Sequence, residues 1–201
     1  MQQALFSCTP LQLDLPDADV RYYPDFIAEH ESIYKQLLAQ IQWSQDDILL
    51  YGKPVKIPRL NAWYGDKEAH YAYSGLALSP LPWTSLLLQL KNQLEAFLNC
   101  QFNSVLANHY RDGQDSVAWH SDDEKELGNK PLIASLSFGA TRTFSLKHKK
   151  DKHLAPVKVN LEGGSLLVMG GNTQHCWQHQ IAKTKQVVPG RVNLTFRRVV
   201  V

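Results

Sequence analysis

Cysteine is scarce in this chain of 201 residues, and Cys8, Cys100 and Cys176 are odd in number and far apart. A disulfide scaffold is thereby excluded, and free thiols in a reducing compartment are expected. No apolar run reaches the length of a membrane span, so no membrane partner is expected. The opening Met-Gln-Gln-Ala-Leu-Phe-Ser-Cys lacks a basic flank followed by an apolar stretch, so neither a signal peptide nor secretion is expected. Internal repeats and low-complexity segments are missing too. Net charge is only +2, yet residues 142–201 hold 11 Lys and Arg against 2 Asp and Glu, while the first 141 hold 10 against 17. A basic half suggests an anionic partner on that side, with a merely solvated face as the alternative.

What is present fits one domain, 1–201, large enough to bury a substantial core. Residues 1–24 read as irregular because Thr9-Pro10, Leu15-Pro16 and Tyr23-Pro24 disfavour helix. Asp25 can cap a helix running to about Trp43, with Phe26, His30, Ile33, Leu37 and Ile41 on one face. Strand-like pieces follow from Ile48 to Trp63, with Leu50-Tyr51-Gly52-Lys53 as a hairpin tip and Arg59 on the return. An aromatic there is either packing or a wedge into a base stack. Tyr71 and Tyr73 share a face and could floor a pocket for a flat ligand or be half-buried strand residues. A second helix starts near Leu81-Pro82-Trp83 and runs to Leu98.

After Cys100 the period becomes two, with candidate strands at 104–110, 132–138, 143–148, 157–161, 165–169 and 192–200 and no helices between them. That reads as a sandwich or jelly roll.

Chemistry concentrates in residues 108–123. His120 and Asp122 are two apart, and on an extended backbone such residues point the same way. An imidazole and a carboxylate completed by a distant histidine suit a ferrous ion with open positions. His175 and His179 compete for that third place, and spacing alone does not choose. His109 alternates away from Asn108 and Tyr110, while His148 and His153 are expected to be exposed. In the last strand Arg191, Asn193, Thr195 and Arg197 share one face, and Val192, Leu194 and Phe196 the other. Two arginines are costly to bury unpaired, so the face implies an acidic ligand, and a dicarboxylate matches both guanidinium forks. Asn108 and Tyr110 could add hydrogen bonds. The alternative is an edge strand with its polar face in water.

Taken together, Asn108-x-Tyr110, His120-x-Asp122, His179 followed by Arg191, and Arg191-x-Asn-x-Thr-Phe-Arg197 resemble the AlkB family. These are iron(II)- and 2-oxoglutarate-dependent dioxygenases that remove alkyl groups from nucleic-acid bases. Tyr64-Gly65-Asp66, Tyr71-x-Tyr73-Ser74-Gly75, His120-x-Asp-Asp-Glu124 and Ser135-x-Ser-Phe-Gly139 resemble the branch repairing double- and single-stranded DNA. The resemblance implies a mainly β (α+β) fold: a double-stranded β-helix, or jelly roll, over 101–201, with N-terminal helices and a nucleotide-recognition lid at 44–80. It gives His120, Asp122 and His179 to Fe(2+), and Asn108, Tyr110, Arg191, Asn193, Thr195 and Arg197 to 2-oxoglutarate. Substrate contacts fall to Tyr51, Gly52, Lys53, Arg59, Tyr71, Tyr73, Ser74 and Asp123.

The implied reaction uses O2 to demethylate 1-methyladenine and 3-methylcytosine in DNA, releasing formaldehyde, succinate and CO2. RNA or a protein side chain is the alternative substrate. A cationic base suits a carboxylate at Asp123, and lost pairing eases its extrusion. Tyr51 stands where the double-strand enzyme has phenylalanine, which leaves strand preference open. The lysine-rich turn 147–152 has the composition of a phosphate-contacting loop or of a solubilising one. A monomer is expected, in the cytoplasm or nucleoid of a bacterium or the nucleus of a eukaryote.

Overall fold

The computed structural model describes residues 9–50, 52–69, 71–73 and 76–200, and only the backbone of 48–50, 71–73 and 76–78. Tyr51 and Ser74 lie outside the described residues, as do the side chains of Tyr71 and Tyr73. In chain order the strands are β1 (Leu11–Leu13), β2 (Asp19–Tyr23), β3 (Asp47–Leu50), β4 (Lys53–Lys56), β5 (Leu60–Gly65), β6 (Tyr71–Tyr73) and β7 (Leu76–Leu78). Then come β8 (Ser104–Tyr110), β9 (Val117–His120), β10 (Ile133–Gly139), β11 (Arg142–His148), β12 (Val157–Leu161), β13 (Leu166–Gly170), β14 (Trp177–Ile181) and β15 (Arg191–Arg197). The helices are α1 (His30–Gln40), α2 (Ser85–Leu98) and the single-turn α3 (Thr173–Cys176).

Two antiparallel sheets make the jelly roll, in the orders β1-β2-β13-β10-β15-β8-β5 and β12-β11-β14-β9. The larger sheet is covered on both faces, which explains why β10, β13 and β15 are buried almost throughout. Val192, Leu194 and Phe196 pack with Leu37, Leu90 and Leu94 of the helices. Between the sheets Ile133, Leu167 and Met169 meet Phe144, Leu146 and Ile181. Polar residues of β15 alternate onto this inner side, so an otherwise apolar interior acquires a polar lumen. The hairpins β3-β4 and β6-β7 lie in the 44–80 segment. Gly52 at φ +76° turns the first of them, a backbone state that L side chains rarely adopt.

Several local expectations are corrected. Within the described part of the N-terminal stretch, from residue 9 on, the chain is not irregular: β2 pairs with β13, placing Val20, Tyr22 and Tyr23 in the core. Three prolines masked that strand. Helix α1 starts at His30, not after Asp25, because the Ile27 N–H donates to Gly164 O at 2.9 Å instead of entering a helical ladder. Gly164 sits at φ +84°, and a Cβ there would lie 2.5 Å from Ile27 O. Helix α2 starts at Ser85, where the Thr84 side chain accepts from the Leu87 N–H at 3.2 Å; Leu81 bridges Tyr64 instead. Strands β9 and β14 and helix α3 were not anticipated. His148 is half-buried, not exposed, with its ring 5.2 Å from that of Trp177.

Candidate active site

Register brings the candidate metal ligands together. β14 and β9 pair with His179 opposite His120, and the two rings lie 4.3 Å apart. Asp122 follows just past the end of β9, and its backbone N–H donates to Gln174 Oε1 at 2.9 Å. One ligand atom from each of His120, Asp122 and His179 lies within 4.8 Å of the others. His120 Nδ1 faces Ala118 O at 2.8 Å. A carbonyl only accepts, so Nδ1 carries the proton and Nε2 keeps its lone pair for a metal. Burial pushes His179 down to about 3, so its imidazole is neutral, as ligation requires. For Asp122 burial works toward the neutral acid, but the Arg197 guanidinium beside it overrides this and holds the carboxyl far below its usual range. Arg197 Nη2 reaches Asp122 Oδ2 at 2.8 Å. These donors fit a ferrous ion.

Deeper along β15 lies Arg191, only 2% exposed, with no carboxylate partner among the described residues. Its Nη2 donates to Ser137 Oγ at 2.8 Å, while Nε and Nη1 are buried without a partner. Burial lowers this guanidinium to about 10, partly opposed by Tyr110 beside it. Two orphaned donors on a buried cation fit a ligand carboxylate. Asn193 is differently placed: its Nδ2 donates to Ser135 Oγ and Leu136 O, and its Oδ1 accepts from Thr195 Oγ1. Asn193 and Thr195 therefore brace each other on the wall. Asn108 accepts from Arg59 Nε at 2.8 Å.

These groups share a cavity of about 820 Å³ that also includes Arg59, Trp119 and Glu124 in its lining. Gly52 and Lys53 are exposed and outside that lining, as is Asp123. The Asp123 carboxylate is instead tied to Lys149 Nζ at 2.8 Å. Its neighbour Glu124 turns into the cavity, and Glu124 Oε2 is buried with no hydrogen-bond partner. Past the end of β9 alternation stops, so sequence spacing could not separate these two carboxylates. Gln174, 1% exposed on α3, was missed as well, since a four-residue helix leaves no periodic signal.

Of the rival histidines, His175 faces Asn129 Oδ1 at 3.1 Å, away from the triad. A second group, Asp17, His148 and Cys176, also brings its ligand atoms within 4.8 Å. There His148 Nδ1 accepts the Asp151 N–H at 2.8 Å, which leaves the ring proton on Nε2 and disfavours a metal.

Comparison with known proteins agrees with this geometry. The model of the 2OG-Fe(II) oxygenase superfamily matches residues 19–197. Alpha-ketoglutarate-dependent dioxygenase alkB homolog 3 of Homo sapiens is 44% identical over 187 residues, covering 88% of this chain and 65% of that protein. Its Bos taurus counterpart is 44% identical over 186 residues, 88% of this chain and 64% of the relative. DNA oxidative demethylase ALKBH2 of Homo sapiens is 38% identical over 181 residues, 86% and 69% of the two chains. The chain thus spans somewhat under two thirds of the alkB homolog 3 proteins. The solved structure of OsALKBH1 superposes with a TM-score of 0.65 at 19% identity, covering 93% of this chain and 100% of that one, a likeness of fold. By the family match over most of its length and by these relatives, the chain belongs to the AlkB family of the 2OG-Fe(II) oxygenase superfamily.

Proposed function

We propose that this protein is an Fe(II)- and 2-oxoglutarate-dependent oxygenase that removes alkyl groups from N-alkylated bases in DNA, with 1-methyladenine and 3-methylcytosine as substrates. The observation that carries this reading is one cavity holding both the His120, Asp122 and His179 ligand set and the unpaired guanidinium of Arg191. When bound, iron with the keto acid supplies the activation of dioxygen that side chains cannot perform. The products are the restored base, formaldehyde, succinate and CO2.

The chain's own residues bind, orient and select. Arg191 grips one carboxylate of the keto acid. Arg197, in the lining of the same cavity and ion-paired to Asp122 at 2.8 Å, faces the other carboxylate. Tyr110 and Asn108 complete the polar wall. Glu124 gives the cationic base a negative neighbour inside the cavity, so a neutral base gains less there. In this reading the 44–80 segment is the lid, with Tyr51, Gly52 and Lys53 at a hairpin tip and Tyr71, Tyr73 and Ser74 receiving the extruded base. Lys149 and the turn around it sit beside Asp123 and suit the phosphate backbone. A DNA substrate places the enzyme in the nucleoid or the nucleus.

The test is formaldehyde release from 1-methyladenine or 3-methylcytosine in single- and double-stranded DNA and in RNA, omitting iron and 2-oxoglutarate in turn. Turnover that needs both additions supports the reading. Turnover on methylated peptides but not on nucleic acid would overturn it.

A further inference from the structure

Arg59 belongs neither to the metal set nor to the acidic-ligand face, yet it touches both regions. It immediately precedes β5, and its Nε donates to Asn108 Oδ1 at 2.8 Å. Its Nη1 reaches Ser116 O at 3.4 Å, next to a Ser116 N–H bond to Pro58 O at 2.8 Å. Ser116 leads directly into β9 and His120. Thus the connection from the β3-β4 hairpin is fastened to the strand that carries a metal ligand.

Asn108 is 6% exposed on β8, with Asn61 of β5 on one side in register and Asn193 of β15 on the other. A guanidinium N–H can only donate, so it fixes which way the Asn108 amide faces. The oxygen is held toward Arg59, and the NH2 is left to donate along the cavity wall. Among the described residues that NH2 has no acceptor. Asn193 needs no such help, because Ser135 and Leu136 already fix its amide. Without Arg59 the Asn108 amide can rotate and present its oxygen to an anion, which repels it.

We propose that Arg59 is a positioning residue for the keto acid: it holds the Asn108 amide in the donor orientation and so links the hairpin connection to cosubstrate affinity. The proposal rests on reading the cavity as a 2-oxoglutarate site. It reassigns Arg59, expected from sequence to contact substrate, to a task that exists before any nucleic acid binds.

The experiment is calorimetric titration of the Mn(II)-loaded, DNA-free protein with N-oxalylglycine, a non-reacting keto-acid analogue. Arg59→Ala is expected to weaken binding about tenfold, the scale of one charge-assisted hydrogen bond. Arg59→Lys keeps the charge but cannot serve both acceptors, and should lose nearly as much. In an Asn108→Ala background, Arg59→Ala should change affinity less than about twofold, because its effect runs through the amide. Unchanged affinity in Arg59→Ala overturns the proposal. So does wild-type affinity in Arg59→Lys, or a full loss in the Asn108→Ala background, either of which assigns the effect to bare charge. Arg59→Lys carries the test if the alanine variant fails to fold. Wild-type protein that ignores the analogue overturns the keto-acid reading itself, a result distinct from failure in the variants alone.

Discussion

Replacing Arg191 with methionine should make the ligand-free protein more stable while abolishing its response to the keto acid. The guanidinium is 2% exposed, and its Nε and Nη1 have no partner. Each such buried donor costs about 1–3 kcal/mol. Against that relief, Arg191→Met loses the bond to Ser137 Oγ, worth about 1 kcal/mol. It also loses the Tyr110 ring contact at 5.3 Å, worth about 1–2 kcal/mol in a dry site. Methionine retains most of the buried stem. At the middle of these ranges the balance favours the variant by about 1–2 kcal/mol, in line with apolar replacement of buried charges elsewhere. In a chain of this length that raises the melting temperature by several degrees, at about 2–4 °C per kcal/mol. Adding N-oxalylglycine at about 100 times Kd to the Mn(II)-loaded protein should then stabilise the wild type by about 2.7 kcal/mol beyond the metal alone and leave the variant where the metal alone put it. Melting curves with and without ligand therefore cross over. A ligand-free variant that melts well below the wild type, or one that still gains from the analogue, would refute the account of Arg191 as a cation held for a ligand carboxylate.

Glu124→Gln should lower kcat/KM on cationic 3-methylcytosine about tenfold, whereas Asp123→Asn, already paired with Lys149, should cost much less; the reverse order in a formaldehyde assay would return the substrate-facing role to Asp123. Gln174→Ala removes the acceptor for the Asp122 N–H and should weaken Mn(II) binding about 10–100-fold by spin-resonance titration, and an unchanged metal affinity would deny it that part. Because burial lowers His179 from 6.5 to about 3, the metal-free folded chain binds fewer protons than the unfolded chain between those values. Stability is therefore lost as pH falls through that window, and urea midpoints at about pH 7.5 and about pH 5 should differ less in His179→Phe than in the wild type.

The most informative sequence signal was the alternation in β15, and its clarity has a structural cause. The larger sheet meets helices on one side and a polar lumen on the other, so successive residues had to satisfy two different environments. The same logic made β8 readable, with Val105 and Ala107 in the core beneath the helices and Asn108 and Tyr110 along the cavity. Where burial is uniform or the element is short, the pattern vanishes. β2 sits among prolines and shows its alternation only once β13 is known to lie beside it. α3 holds Gln174 against the Asp122 backbone, but a single turn has no period to detect. The start of α1 was displaced by a long-range bond from Ile27 to Gly164, which no local propensity reports.

On the proposed function, the charges in the lumen favour filling by metal and diacid together. Among the described residues, the candidate metal set and the inner face of β15 bring together the carboxylate of Asp122 and the guanidinium groups of Arg191 and Arg197, with His179 kept neutral by burial. A divalent ion alone adds positive charge to a site that already has a surplus. A keto diacid alone neutralises the arginines but has no metal to chelate. Bound together, the diacid compensates the charge that the ion adds, so each should tighten the other's binding by the same factor. Equal N-oxalylglycine affinity with and without Mn(II) in a calorimetric titration would contradict this. The same balance accounts for Glu124 at the cavity rather than in the ligand set. A second negative group beside the metal would compete with the diacid for the guanidinium groups, whereas in the proposed function a carboxylate in the lining outside that set is available to a cationic base.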